Sequence, residues 1–206
     1  MFLTSAFKDG LFEVQDAGSQ KIGEFLDVKP GMRVVDACAG AGGKTLHLAA
    51  LMENKGQIIA MDIHGWKLAE LKRRAKRAGA HNIETREITD NKVIKRLHEK
   101  ADRLLIDAPC SGLGVLKRNP DSKWKIDQDF IGRIRKEQET ILQDYSKIIK
   151  KGGKMVYATC SILPSENNEQ VENFLKNNPD FKLVKEEKVM PSTGFDGFYM
   201  ALIERV

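Results

Sequence analysis

The sequence predicts an α/β protein built on a mostly parallel sheet of seven strands with helices on both faces. Three observations predict it. From Arg33 onward, short apolar or β-branched runs alternate five times with amphipathic helical stretches, the pattern of a parallel sheet with helical crossovers. A glycine-rich turn follows the first run. Two further strand-like runs lie close together at the end of the chain and suggest an antiparallel strand at one edge. Such a sheet is Rossmann-like, and ligands of open α/β sheets sit at the carboxyl ends of the strands near the switch point.

The elements follow in order. RVVDA, Arg33–Ala37, is the first strand, and the helix after its turn is expected over Lys44–Glu53. QIIAMD, Gln57–Asp62, is the second strand, followed by a helix over Trp66–Gly79. NIETRE, Asn82–Glu87, is the third, followed by a helix over Asn91–Glu99. Arg103–Asp107 is the fourth, and a long helical pattern covers Asp129–Lys150. Lys154–Thr159 is the fifth, followed by a helix over Glu166–Asn177. Phe181–Glu187 and Gly197–Glu204 close the sheet. Each strand is short, apolar or β-branched, and ends in a polar turn. The chain of 206 residues reads as one domain, with residues 1–30 as a lead-in and 31–206 as the core.

Composition excludes several classes. Hydrophobic residues make up 41% and charged residues 31%, a globular balance. No apolar run approaches the ~20 residues needed to cross a bilayer. The opening MFLTSAFKDG lacks the pattern of a secretory signal, so a cytoplasmic location is expected. The net charge of +5 is compatible with a polyanionic partner. The three cysteines, Cys38, Cys110 and Cys160, form no CxxC pair and have no histidine at metal spacing, so neither a metal site nor a disulfide framework is expected.

The segment VVDACAGAGGKT, Val34–Thr45, is a strand, a glycine turn and a helix start. Three readings compete. A P-loop needs a first glycine where Cys38 stands, and a dinucleotide fingerprint needs glycine or alanine where Thr45 stands. A methyltransferase loop is met by Asp36, Gly40 and Gly42. The next strand ends in Asp62, 20 residues past Gly42, where a carboxylate can bind both hydroxyls of a ribose.

The fourth strand runs into LLIDAPCSGLG and the fifth into MVYATCSILPSENN. Neighbouring parallel strands are about 5 Å apart, so Asp107, Cys110 and Cys160 should converge near the glycine loop. Two thiols beside a carboxylate and a cofactor-type loop point to chemistry more than to packing.

With these residues in place, the chain resembles the RsmB/Sun-type RNA cytosine-5 methyltransferases. The resemblance runs from LFEVQDAGSQ through DACAGAGGKT, IDAPCSGLGVLKRNPD and ATCSILPSENN to GFDGFYMALI. It implies a class I methyltransferase fold and S-adenosylmethionine as cofactor. It assigns Cys160 as the nucleophile that adds to carbon 6 of cytosine, and Cys110 as the residue that assists loss of the carbon-5 proton and product release. Asp107 would hydrogen-bond the base edge, and Lys44 would face the active site. Cys38, Ala39, Gly40, Ala41, Gly42, Gly43 and Lys44 would cradle the cofactor, with Asp62 on its ribose and Asp90 on its adenine, and Asp107 completing the set. Asp90 reads equally well as an N-cap of the following helix. The family usually has Ala-Pro where this chain has Gly40-Ala41. Chemistry alone does not rank the cysteines, because DNA cytosine methyltransferases place their nucleophile in a Pro-Cys context like Pro109-Cys110. A non-catalytic nucleotide-binding module is the third alternative.

For the substrate, ribosomal RNA is the expectation. Lys117, Arg118, Lys123 and Trp124, just past DAPCSG, are the candidate RNA contacts, with Trp124 as a stacking ring. A second basic group, Lys67, Lys72, Arg73, Arg74, Lys76 and Arg77, reads as a solvated helix face. The resemblance places RNA-binding regions before the core in longer members, so the chain is either a piece of a longer protein or a minimal enzyme. A monomer is expected.

Overall fold

In the computed structural model, which describes residues 1–206, period-two burial places the strand side chains in two cores on opposite sheet faces. The strands are β1 (Arg33–Asp36), β2 (Gln57–Asp62), β3 (Ile83–Glu87), β4 (Ala101–Asp107), β5 (Ile149–Thr159), β6 (Phe181–Val189) and β7 (Phe198–Arg205). The helices are α1 (Ser5–Lys8), α2 (Ala17–Phe25), α3 (Gly43–Leu51), α4 (Gly65–Arg77), α5 (Asn91–Lys95), α6 (Ser122–Lys125), α7 (Gln128–Tyr145) and α8 (Asn168–Asn177). Val35, Ile59, Leu104, Ile106, Met155 and Tyr157 pack on one face against Leu142, Val171 and Phe174 of α7 and α8. Val34, Ile58, Leu105 and Val156 pack on the other against Ile22, Leu48 and Ala49 of α2 and α3. Fully burying one such side chain contributes about 1.5–3 kcal/mol, so the two faces together hold the sheet.

Sheet order is β3-β2-β1-β4-β5-β7-β6. Neighbours from β3 to β5 are parallel, β7 runs antiparallel between β5 and β6, and β6 takes the edge. The antiparallel strand therefore lies one place inside the edge. The chain builds outward from β1 to β3 and then crosses to β4, so the switch point lies between β1 and β4. Asp36 pairs with Leu105, so β4 reaches two residues farther, to Asp107. Asp107 in turn pairs with Ala158, which sets Cys110 and Cys160 just past adjoining strand ends.

Several expectations change, and the helix expected over Asn91–Glu99 ends at Lys95. The long helix stops at Tyr145, and a short 3-10 turn over Ser146–Ile148 follows. Ile149 then pairs with Ala101 and starts β5 five residues before Lys154. The apolar pair Ile148 and Ile149 fits a helix pattern, but the 3-10 turn takes Ile148 and the ladder takes Ile149. The expected helix start at Glu166 is instead a 3-10 turn, Pro164–Glu166, and α8 begins at Asn168. The lead-in also contributes to the core. Asp16 caps α2 by accepting from the N–H groups of Gly18 at 2.8 Å and Ser19 at 3.3 Å, and Ile22 and Phe25 pack under the sheet. No helix is long and apolar enough to cross a membrane.

Candidate active site

The glycine loop sits at the switch point. Gly42 has φ +88°, and a Cβ there would lie 2.5 Å from Leu71 Cγ of α4, so side-chain-free backbone is required. Gly40 has φ +53° and faces open space. The Ala39 N–H donates to the Met61 carbonyl at 2.8 Å, and Arg74 donates to the Ala41 carbonyl at 2.9 Å, fixing the loop between β2 and α4. Asp62 accepts the Gly40 N–H at 2.9 Å and the His64 N–H at 2.8 Å.

This loop opens on a cavity of about 350 Å³. Cys38, Gly40, Asp62 and Asp107 line its sheet side, Ile63 and Ile88 give it apolar walls, and Glu137, Ile141 and Tyr145 of α7 close the far side. A glycine cradle, a carboxylate at the end of β2 and apolar walls of this size fit a nucleoside-type cofactor. They do not fit a P-loop. The Thr45 hydroxyl that such a loop turns toward magnesium is fully buried and donates to Asp36 at 2.7 Å, and Lys44 is engaged elsewhere. Burial pushes the Asp36 carboxyl up to about 7, against the pull of that hydroxyl bond.

Beside the cavity lie the thiols. Cys110 Sγ and Cys160 Sγ are 3.3 Å apart, a hydrogen-bond distance for sulfur. The Gly114 N–H donates to the Cys160 carbonyl at 2.9 Å, an approach that a Cβ at Gly114 would block. Lys44 Nζ lies 2.6 Å from Asp107 Oδ2, and Asp107 and Pro109 reach the cavity wall. Cys110, Cys160 and Lys44 stand just outside that wall. Burial pulls the Lys44 ammonium down, but the Asp107 carboxylate outweighs it and holds the ammonium above its ordinary value. The two thiols are unequal. The hydrogen bond from Cys110, helped by the Lys44 charge and opposed by burial and Asp107, lowers Cys160. The same bond, with burial and the nearby Glu166 charge, raises Cys110. Burial, and then the charges of Asp36 and Asp107, push Cys38 well above an ordinary thiol.

Comparison with known proteins now decides the family. The profile of the family described as 16S rRNA methyltransferase RsmB/F matches residues 24–203. The chain belongs to this family. A probable ribosomal RNA small subunit methyltransferase B from Synechocystis sp. is 40% identical over 178 residues, covering 85% of this chain and 40% of that protein. Its counterpart in Bacillus subtilis is 38% identical over 180 residues, covering 87% of this chain and 40% of the relative. The chain thus spans about two fifths of the length of these relatives. The crystal structure of NSun6 from Pyrococcus horikoshii with SFG superposes with a TM-score of 0.90 at 29% identity, over all of this chain and 56% of that one.

Against this family background, the remaining candidate residues fall into place unevenly. The Asp90 carboxylate caps α5, accepting the Lys92 N–H at 2.7 Å, and it does not line the cavity. Lys117, Arg118, Lys123 and Trp124 are exposed, and Lys123 Nζ sits 4.9 Å from the Trp124 ring centre. Arg118 is tied to the buried Asp196 at 2.5 Å, which anchors this segment to the loop before β7. The helix face read as solvated is only partly so. Arg74 and Arg77 both pair with Glu13, Arg77 stacks over Phe7, and Lys67 borders the cavity. Missed in the sequence were Ile63, Ile88 and the α7 trio. Residues 137, 141 and 145 recur at helical spacing, a visible stripe, but nothing in the sequence says that the stripe faces a cavity.

Proposed function

We propose that the chain transfers a methyl group from S-adenosylmethionine to carbon 5 of a cytosine in RNA, with ribosomal RNA as the substrate that its relatives' names indicate. The observation that carries this reading is the thiol pair at 3.3 Å, flanked by the Lys44–Asp107 ion pair at the rim of the cavity. Cofactor bound there would supply an electrophilic sulfonium methyl. The Cys38–Lys44 loop and Asp62 would hold it, with Ile63 and Ile88 as apolar walls for its base.

Carbon 5 of cytosine is a poor nucleophile. Cys160, as the thiolate, would add to carbon 6 and turn the ring into an enamine, whose carbon 5 would take the methyl, leaving the sulfonium as its neutral thioether. Asp107 holds the base edge while Lys44 balances its charge. Cys110 assists removal of the carbon-5 proton, the carbon 6–sulfur bond breaks, and the thiolate of Cys160 returns. Lys44, 2.6 Å from Asp107, helps to lower Cys160, which supports Cys160 as the nucleophile; the family to which the chain belongs, and not the thiols, favours RNA over the DNA-methyltransferase alternative. Lys117, Lys123 and Trp124 are the proposed RNA contacts; a base must leave its stack to reach the thiols.

The test is labelled methyl transfer to a small-subunit rRNA transcript, followed by nucleoside analysis. The expected product is 5-methylcytidine, absent in Cys160→Ser. Label on another nucleoside, or on DNA and not RNA, would overturn the proposal.

A further inference from the structure

Between the two cysteine loops lies a carboxylate that the reaction above does not use. Glu166 is fully buried at the end of the 3-10 turn that follows the Cys160 loop. Its Oε1 accepts the Ser111 N–H at 2.8 Å and the Gln138 amide at 3.0 Å. Its Oε2 accepts the Ser111 hydroxyl at 2.5 Å and also the Ser161 hydroxyl. All four donors are neutral, so this is a buried carboxylate held by hydrogen bonds alone, an expensive arrangement unless it has a use. Ser111 and Ser161 are the residues next to Cys110 and Cys160, and their hydroxyl oxygens are 3.1 Å apart. Gln138 extends the brace by donating to the Pro109 carbonyl at 2.9 Å. Tyr157 of β5 donates to the Glu166 carbonyl at 2.8 Å and fixes the turn itself.

We propose that Glu166 is a positioning residue: one carboxylate grips the residue beside each thiol and so sets the separation at which the two thiols share a proton. The inference deepens the proposed reaction and rests on it for the use made of the thiolate. A packing role alone would require Glu166 to be filled by any residue of its size. Glutamine has that size but carries one acceptor and one donor. With its oxygen toward the Ser111 N–H and the Gln138 amide, its NH2 would donate to the two hydroxyls, which must then turn their own protons away and release the grip; reversed, the NH2 would face two donors.

The experiment is iodoacetamide alkylation of the chain alone, without RNA or cofactor, followed peptide by peptide as a function of pH. In the unaltered chain Cys160 should react with a lower midpoint than Cys110. In Glu166→Gln the Cys160 midpoint should rise by about one pH unit, slowing its alkylation about tenfold at neutral pH. Ser161→Ala, which leaves the carboxylate three donors, should shift it by less in the same direction, and carries the test if Glu166→Gln does not fold. A Cys160 midpoint that is unchanged, or lowered as loss of the Glu166 charge alone would lower it, in either folded variant would overturn the proposal. Loss of the methyl-transfer reading would leave these profiles as predicted, so the two failures are distinguishable.

Discussion

Replacing Gly42 with alanine should damage the cofactor loop in a way that replacing Gly40 does not. At Gly42 φ is +88°, beyond the small left-handed basin, and the new Cβ would lie 2.5 Å from Leu71 Cγ. The backbone cost is about 1–2 kcal/mol. Overpacking against Leu71, which is fully buried, adds about 1–3 kcal/mol. At Gly40 φ is +53°, within the basin, and a Cβ there meets nothing within 4 Å. That substitution should cost about 1 kcal/mol. For a chain of this size 1 kcal/mol moves Tm by about 2–4 °C, so Gly42→Ala, at about 2–5 kcal/mol, should lower it by roughly 4–20 °C and Gly40→Ala by roughly 2–4 °C. Differential scanning calorimetry reads both. A double-mutant cycle of Gly42→Ala with Leu71→Ala should recover about 1–3 kcal/mol of coupling, because the smaller side chain relieves the contact. Equal melting of the two glycine variants, or a cycle with no coupling, would refute the reasoning that close packing of the loop on α4 shapes the cradle.

Two further predictions follow from the charges. Lys44→Met should strand the Asp107 carboxylate; the pair is 14% and 27% exposed, so the loss should be about 2–3 kcal/mol by urea titration, less than for a fully buried pair. The same variant should slow Cys160 alkylation at neutral pH, because Lys44 is among the groups that hold that thiol down. Asp36 predicts a pH dependence. Its folded pKa of about 7 lies above the ordinary 3.8, so the folded state binds the proton more tightly and stability falls as pH rises from about 4 to 7, then levels. Asp36→Asn, which keeps an acceptor for Thr45, should flatten that slope and gain up to about 3 kcal/mol more at pH 8 than at pH 5. Equal gain at both pH values would contradict a buried, proton-retaining Asp36.

What the sequence carried clearly was whatever sits at a strand end. Asp62, the glycine loop, Asp107 and both cysteines follow directly on strands, so strand alternation alone predicts that they meet, and they do. What it carried poorly depends on which side of a helix meets what. Glu137, Ile141 and Tyr145 line the cavity only because α7 crosses over the carboxyl ends of the strands. Arg74 and Arg77 look like solvated charges until Glu13, more than sixty residues away in sequence, comes to meet them. Glu166 reads as the first residue of a helix, and a 3-10 turn there instead holds it inward onto two serines. Asp90 reads equally as a helix cap and as a cofactor contact, and the structure shows the cap, away from the cavity wall.

The measurement that tests the account most directly is covalent trapping on RNA containing 5-fluorocytidine in the presence of S-adenosylmethionine, with the adduct mapped by peptide mass spectrometry. The expected result is a stable RNA adduct on Cys160, retained in Cys110→Ser and lost in Cys160→Ser. An adduct on Cys110 that survives Cys160→Ser would contradict it.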